Sequence, residues 1–237
     1  MRFVILQNEP LNASVYHLHL AGDTGAIARP GQFVQVAVPG RFLRRPLSVC
    51  DWREGALDLI YKVVGEGTRD LSGLRPGAAL DVLCGLGNGY DLDVKARRPA
   101  LIGGGVGAPP LYGLAKRLLA DGREIEICLG FNTASDAFWL DAFFALGAPV
   151  RVATLDGSLG QKGFATDLPA SADYVYACGP WPMLRAAHGL GLPGQYSLEE
   201  RMACGFGACM GCTIQTAAGP RRVCKDGPVF RGEDILW

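Results

Sequence analysis

The stretch Arg97-Arg98-Pro99-Ala100-Leu101-Ile102-Gly103-Gly104-Gly105-Val106-Gly107 separates two kinds of pattern in this chain. Ala100-Leu101-Ile102 is a short apolar run that reads as a buried strand, and a cluster of glycines ends it. Pro109 and Pro110 suit the first turn of a helix. Leu111, Leu114, Ala115, Leu118 and Leu119 then keep helical period as far as Asp121-Gly122. Further on, strands are predicted over residues 124–131, 150–155, 174–177 and 195–199. Helices are predicted over residues 135–146, with Ser135 as N-cap, and over 182–188. Strands alternating with helices imply a parallel α/β sheet. Upstream of residue 97 the period is two. Residues 15–20, 32–38, 57–64 and 80–84 read as strands, separated by the turn signals Gly22-Asp23, Pro39-Gly40 and Pro76-Gly77. Short strands at this spacing suggest a small antiparallel barrel. The expected architecture is a β barrel plus α/β: an antiparallel barrel over 1–97, a parallel-sheet domain over 98–200 and a small cysteine-rich domain over 201–237.

Composition narrows the function. A chain of 237 residues holds one large or two to three small domains at about 150 residues each. Its 23 basic and 23 acidic residues leave no net charge, which argues against a broad nucleic-acid surface or an electrostatic membrane patch. With 49% hydrophobic and 19% charged residues, gross disorder is excluded. The 33 glycines are near twice the usual share of about 7%, which implies tight turns and places where backbone approaches a ligand. The run Phe3-Val4-Ile5-Leu6 stops at Gln7-Asn8, too short for a signal peptide. No stretch reads as a membrane helix, so the expected location is cytoplasmic.

Of the eight cysteines, Cys50, Cys84 and Cys128 read as small buried apolar residues. Four others are clustered as Cys204-x4-Cys209-x2-Cys212-x11-Cys224. The first three match the spacing that holds a plant-type [2Fe–2S] cluster. A diiron cluster needs four thiolates, two per iron. The five-residue step lets the chain wrap and aim backbone N–H groups at sulfur, and Gly205, Gly207 and Gly211 leave room for that. Zinc ribbons usually present two C-x2-C knuckles, and only Cys209 with Cys212 has that form. A disulfide scaffold is disfavoured without a secretory signal. His17 and His19 share one strand face and read as solvated or hydrogen-bonded side chains rather than a metal site.

Arg45-Pro46-Leu47-Ser48 is followed by Ile60-Tyr61-Lys62 and by Gly65-Glu66-Gly67-Thr68. In the order barrel strand, Arg-x-x-Ser, strand, Gly-x-Gly-Thr, short helix, α/β domain, this resembles the FAD domain of the ferredoxin–NADP reductase superfamily. Arg45 can neutralise a pyrophosphate with its planar fork. Gly67 and Thr68 put N–H groups at a helix N-terminus, which favours phosphates. Ser48 could donate a hydrogen bond to the isoalloxazine edge. The plainer alternatives are an Arg45 held by a rim carboxylate and a Thr68 that only caps its helix.

Gly103, Gly105 and Ala108 give a G-x-G-x-x-A match after a strand, without the acidic residue expected at the end of the next strand, where Gly130-Phe131-Asn132 stands. Ala177-Cys178-Gly179-Pro180, with Met183, resembles the pyridine-nucleotide lobe of the same superfamily. That resemblance puts NAD against Gly103, Gly105, Gly107, Cys178, Gly179 and Pro180, with Cys178 near the nicotinamide as the candidate catalytic residue. A small buried apolar role is the alternative for Cys178. No Arg or Lys lies between Gly130 and Asp141 to grip a 2′-phosphate, which favours NAD over NADP.

The run Ser197-Leu198-Glu199-Glu200-Arg201-Met202-Ala203-Cys204-Gly205-Phe206-Gly207-Ala208-Cys209-Met210-Gly211-Cys212 narrows the family. With residues 103–112, Asp156-Gly157-Ser158, Gly160, Lys162-Gly163 and Val229-Phe230, it closely resembles the electron-transfer subunits of class 1B, NAD-dependent dihydroorotate dehydrogenases. The resemblance implies an FAD-binding barrel, an NAD-binding α/β domain and a [2Fe–2S] domain. It implies FAD contacts at Arg45, Pro46, Leu47, Ser48, Ile60, Tyr61, Lys62, Gly67 and Thr68, and cluster ligands at Cys204, Cys209, Cys212 and Cys224. It implies a heterotetramer of two copies of this chain with two of an FMN-containing barrel subunit that oxidises dihydroorotate in pyrimidine biosynthesis. Electrons would pass from that FMN through the cluster and FAD to NAD+. The nearest alternatives share this architecture: a hydrogenase/sulfhydrogenase gamma subunit, or the small subunit of an NADH-dependent ferredoxin:NADP oxidoreductase. The run Glu199-Glu200-Arg201-Met202-Ala203-Cys204-Gly205 disfavours them. A zinc-stabilised scaffold on a decayed reductase fold is a third reading, and the intact Arg45, Gly67-Thr68 and Cys178-Gly179-Pro180 speak against it.

Overall fold

A computed structural model describes residues 1–237. The N-terminal part comprises β1 (Arg2–Pro10), β2 (Val15–Ala21), β3 (Phe33–Val36), β4 (Arg45–Arg53), β5 (Ala56–Lys62), α1 (Glu66–Ser72) and β6 (Ala79–Leu86). These strands close a barrel in the order β1-β2-β5-β4-β3-β6. Period-two alternation fills its interior with Phe3, Ile5, Leu18, Leu20, Val34, Val36, Leu57, Leu59, Tyr61, Leu80 and Val82. The sequence pattern missed β1. Its alternation breaks at a register shift between Ile5 and Gln7, after which Asn8 turns to hydrogen bonding. Asn8 Nδ2 donates to the carbonyls of Leu71 (2.8 Å) and Leu74 (3.1 Å), and Tyr61 Oη donates to Asn8 Oδ1 (3.0 Å). That one side chain ties the C-terminal end of α1 to the barrel.

The second part runs β7 (Pro99–Gly104), α2 (Pro109–Ala120), β8 (Glu126–Phe131), α3 (Leu140–Phe144), β9 (Val150–Thr154), β10 (Gln161–Lys162), β11 (Tyr174–Cys178), α4 (Trp181–His188) and β12 (Gly194–Ser197). The tail adds β13 (Thr213–Thr216), β14 (Gly219–Arg222), α5 (Val223–Asp226) and β15 (Val229–Arg231). The large sheet has the order β10-β9-β8-β7-β11-β12-β15 and is parallel except for β15, which pairs antiparallel with β12. Strand order reverses between β7 and β11, so the crevice beyond their C-terminal ends is a topological switch point, where open α/β sheets bind ligands.

The helix expected over residues 135–146 is shorter than its pattern implied. Ser135 caps nothing: it lies in a 3-10 turn, Ala134–Asp136, and Ala137 is extended. Phe138 is buried edge-on against Phe131 (5.5 Å), and Trp139 takes a left-handed conformation with its ring against His17 (4.6 Å). Seating these two aromatic rings uses the residues that would have formed the first turn, so α3 starts at Leu140.

The barrel and sheet meet through α2 on β4. A methyl added at Gly113 would stand 2.7 Å from the Cys50 carbonyl oxygen, and Lys116 pairs with Asp51 beside it. Val15, Cys50 and Ile60 of the barrel share one apolar cluster with Leu111, Leu114 and Leu118. No helix is long and apolar enough to cross a membrane.

Candidate functional site

The four clustered thiols are free and fall into two pairs. The Cys209 N–H donates to Cys204 Sγ and the Cys224 N–H donates to Cys212 Sγ, each at 3.4 Å. Cys212 and Cys224 are buried, Cys204 is half-buried and Cys209 is exposed. Arg222 clamps the two halves: its guanidinium donates to the Gly207 carbonyl (3.0 Å) and pairs with Asp226 (3.1 Å). Positive φ is required at Gly205 (+79°) and Gly207 (+90°), where a methyl would strike Gln35 (2.5 Å) and Lys225 (2.6 Å). Gly211 is under no such constraint, its nearest neighbour being Cys209 Sγ at 3.6 Å. Desolvation opposes ionisation of Cys204, but the N–H groups of Cys209 and Phe206, then the Cys209 thiol and the Ala208 N–H, outweigh it and bring the thiol down to about 6. Burial, followed by the neighbouring Cys212, pushes Cys224 up. Three thiols from the loop before β13 and a fourth from α5, one of them held towards its anionic form by backbone donors, are the donor set an iron–sulfur cluster requires. The residues fit the group.

At the barrel edge, Arg45 starts β4 and lies over the N-terminus of α1. A methyl at Gly67 would be 2.0 Å from Arg45 Nε and 2.2 Å from Nη2, so the absence of a side chain there makes room for the guanidinium. Arg45 Nη1 donates to the Leu43 carbonyl at 2.8 Å. The rim carboxylates are held by other arginines. Arg41 pairs with Glu66 and Asp70 at 2.5 Å each, and Arg44 pairs with Asp81. Arg45 therefore has a positive charge without a carboxylate partner, beside the first-turn N–H groups of α1. Thr68 does cap this helix: its Oγ1 accepts from the N–H groups of Val64 (3.0 Å) and Gly65 (3.3 Å) and donates to the Gly65 carbonyl (3.1 Å). Pro46, Leu47 and Ser48 follow Arg45 along β4, opposite Gln35, Val34 and Phe33. The Tyr61 side chain points into the barrel, Ile60 packs towards α2 and Lys62 is exposed.

At the switch point, Cys178 of β11 stands beside Gly103 of β7. A methyl at Gly107 would be 2.3 Å from the Cys178 carbonyl oxygen and 2.6 Å from Gly179 Cα. At Gly179, with φ +154°, a methyl would stand 2.7 Å from Met183 Cε and 3.1 Å from the Gly104 nitrogen. Gly105 has φ +53° and open space where a side chain would be. Pro180 is the N-cap of α4. Gly103, Gly107, Cys178 and Gly179 are thus packed together where β7 and β11 end, with Gly105 and Pro180 beside them. Burial, and then the charge of Glu199, push the Cys178 thiol up to about 12 against a hydrogen bond with Ser197. It is a neutral, poorly nucleophilic thiol.

His17 Nε2 and His19 Nδ1 both meet Asp58 Oδ1 at 2.7 Å, the hydrogen-bonded strand face that their spacing suggested. Burial raises the Asp58 pKa, but the two imidazole hydrogen bonds outweigh it and hold the carboxyl below its usual range. Sequence reasoning missed Gln35. Alternation assigns it to the outer face of β3, and only the fold shows the cysteine loop lying over it.

A family model described as the iron-sulfur cluster binding domain of dihydroorotate dehydrogenase B matches residues 199–236. The electron transfer subunit of dihydroorotate dehydrogenase B (NAD(+)) from Listeria monocytogenes serotype 4a (strain HCC23) is 42% identical, over 98% of this chain and 96% of the relative. The subunit of that name from Geobacillus sp. (strain WCH70) is also 42% identical, over 99% and 98%. Among solved structures, a chain from an NADH-dependent reduced ferredoxin-NADP oxidoreductase, studied for flavin-based electron bifurcation, superposes with a TM-score of 0.88. It is 32% identical, with 99% of this chain and 89% of that chain covered. Identity is thus higher to the dihydroorotate dehydrogenase B subunits than to this architectural neighbour. Full-length similarity, the matched tail and the flavin-reductase fold lead to one conclusion: the chain belongs to the family of dihydroorotate dehydrogenase B (NAD(+)) electron transfer subunits.

Proposed function

We propose that this chain receives electrons from an FMN-containing dihydroorotate dehydrogenase subunit and delivers them to NAD+ in the cytoplasm, as half of a heterotetramer with two copies of each subunit. The observation that carries the reading is the pairing of Cys204 with Cys209, in a loop whose Gly205 packs against barrel strand β3, and of Cys212 with Cys224 of α5. When bound, a [2Fe–2S] cluster carries single electrons and FAD converts them into the two-electron hydride that NAD+ accepts.

The four cysteines would hold the cluster, with the N–H groups of the 204–209 loop directed at sulfur to favour negative charge there. Arg45 and the first turn of α1 would bind the flavin pyrophosphate, since the guanidinium has no carboxylate to satisfy it. Ser48 would donate a hydroxyl hydrogen bond to the isoalloxazine edge. Pro46, Leu47, Ile60, Tyr61 and Lys62 would contribute backbone and packing, because Tyr61 spends its hydroxyl on Asn8. The glycines of the 103–107 turn and Cys178-Gly179-Pro180 would admit the dinucleotide at the switch point. Cys178, uncharged and buried, would exclude water beside the nicotinamide without attacking it. Exposed Phe206 and Met210 flank Cys209 and give the cluster loop an apolar rim for the partner subunit.

The test is co-expression with the FMN subunit, followed by analysis of iron, sulfide and flavin and an assay of NADH formed from dihydroorotate and NAD+. A red-brown complex with FAD, two iron atoms per copy of this chain and coupled turnover is expected. A colourless chain with one zinc would overturn the reading.

A further inference from the structure

Gln35 stands where the barrel, the flavin-type motif and the cysteine loop meet. It pairs with Pro46 on one side and Leu83 on the other. Its neighbours Val34 and Val36 belong to the barrel core, so alternation turns Gln35 outward, where an amide ordinarily meets water. Instead it is wholly buried, 0% exposed. Gly205, the residue after Cys204, lies against its carboxamide so closely that a methyl there would stand 2.5 Å from Nε2 and 3.0 Å from Cδ.

Neither Nε2 nor Oε1 of Gln35 has a hydrogen-bond partner. A carboxamide offers two donors and an acceptor with two lone pairs, and buried polar groups in folded proteins are nearly always paired. Burying one unpaired opposes folding, whereas a leucine or methionine would fill the same space without that penalty. The unsatisfied amide therefore points to a group the polypeptide does not supply, and Nε2 faces the loop that follows Cys204. Resting on the reading above, we propose that Gln35 donates a hydrogen bond from Nε2 to sulfur of the cluster held by Cys204, and thereby raises the potential of that cluster from the barrel side. Donors to cluster sulfur favour the reduced, more negative state, so removing one lowers the potential.

The test is redox titration of the complete flavin- and cluster-loaded complex, following the electron paramagnetic resonance signal of the reduced cluster and the flavin absorbance separately. Gln35→Leu keeps the volume and removes the donor. Its cluster should favour the oxidised form about tenfold more than wild type, a fall of about 59 mV for a one-electron couple, with flavin content and flavin potential unchanged. Gln35→Met, a second apolar side chain without a donor, should lower the cluster potential by the same amount, and it supplies the reading if Gln35→Leu does not load its cluster. An unchanged cluster potential in both loaded variants would overturn the proposal, as would a shift confined to the flavin. Absence of iron from wild type would instead defeat the underlying functional reading.

Discussion

Gly67→Ala is the sharpest probe of how the barrel edge would grip a pyrophosphate. The new methyl would lie 2.0 Å from Arg45 Nε and 2.4 Å from Cζ. Ordinary contact begins near 3.4 Å, so the guanidinium must retreat by about 1.4 Å, the difference between 3.4 and 2.0. It can do so, because it is the free end of a flexible side chain. The fold should survive. Alanine in a helix gains about 0.8–1 kcal/mol over glycine, and losing the Arg45 bond to the Leu43 carbonyl costs about 0.5–1.5 kcal/mol. Urea denaturation of the flavin-free chain should therefore differ from wild type by no more than about 1 kcal/mol. Affinity for FAD should suffer much more. A hydrogen bond to a charged group is worth about 1.5–3 kcal/mol, which at about 1.4 kcal/mol per tenfold predicts roughly ten- to hundredfold weaker binding. Fluorescence titration of FAD into the flavin-free chain measures this directly. Arg45→Ala should show a similar loss, and the double variant should lose little more, since both changes remove one interaction. Wild-type FAD affinity in Gly67→Ala, or fully additive losses in the double variant, would refute the assignment of Arg45.

Cys209→Ser should bleach the visible cluster absorbance and abolish NADH formation from dihydroorotate, while NADH-driven reduction of an artificial acceptor persists; loss of both in a folded, FAD-loaded protein would contradict the proposed wiring. Gly107→Ala places a methyl 2.3 Å from a backbone oxygen that cannot yield, so the midpoint of urea unfolding should fall by the equivalent of about 1–3 kcal/mol and the KM for NADH should rise. Tyr61→Phe should cost about 1 kcal/mol in the same denaturation yet leave FAD affinity within about twofold, because its hydroxyl serves Asn8. Asp58, held below its usual pKa by His17 and His19, contributes stability that is complete above the unfolded carboxyl value of about 4 and lost as pH falls through the lower native value. Melting temperatures measured from about pH 5 downward should therefore decline less steeply for Asp58→Asn than for wild type, and parallel curves would exclude this contribution.

Much of this architecture is visible before any coordinates. Period-two stretches at residues 15–20 and 57–64 became β2 and β5, and the glycine-ended strand at 100–102 became the centre of the parallel sheet. These patterns are local consequences of which face is buried. The cysteine spacing is likewise local, because a loop that wraps a small inorganic core is defined by a few consecutive residues. What escaped depends on distant partners. Asn8 breaks the alternation of β1 because its side chain serves carbonyls more than 60 positions away. Residues 137–139 leave the helical pattern because Phe131 and His17 offer aromatic contacts. Gln35 reads as an ordinary solvent-facing amide until residue 205 is folded over it. The carboxylate that joins His17 and His19 comes from a neighbouring strand whose register neither histidine reveals.

The placement of β15 has a mechanical consequence. The thiol-bearing segment leaves the sheet at β12 and returns to it at β15, the strand hydrogen-bonded alongside, so it forms a closed stirrup instead of a free arm. Asn88, just past the last barrel strand, locks the returning limb by donating to the Val229 carbonyl (2.7 Å) and accepting the Val229 N–H (3.1 Å). With a cluster on the four cysteines and a flavin on the barrel, their separation would be governed by strand register rather than by the sway of a linker. Tunnelling, which falls steeply with each added ångström, would be tuned by the same backbone bonds that hold the edge of the sheet together.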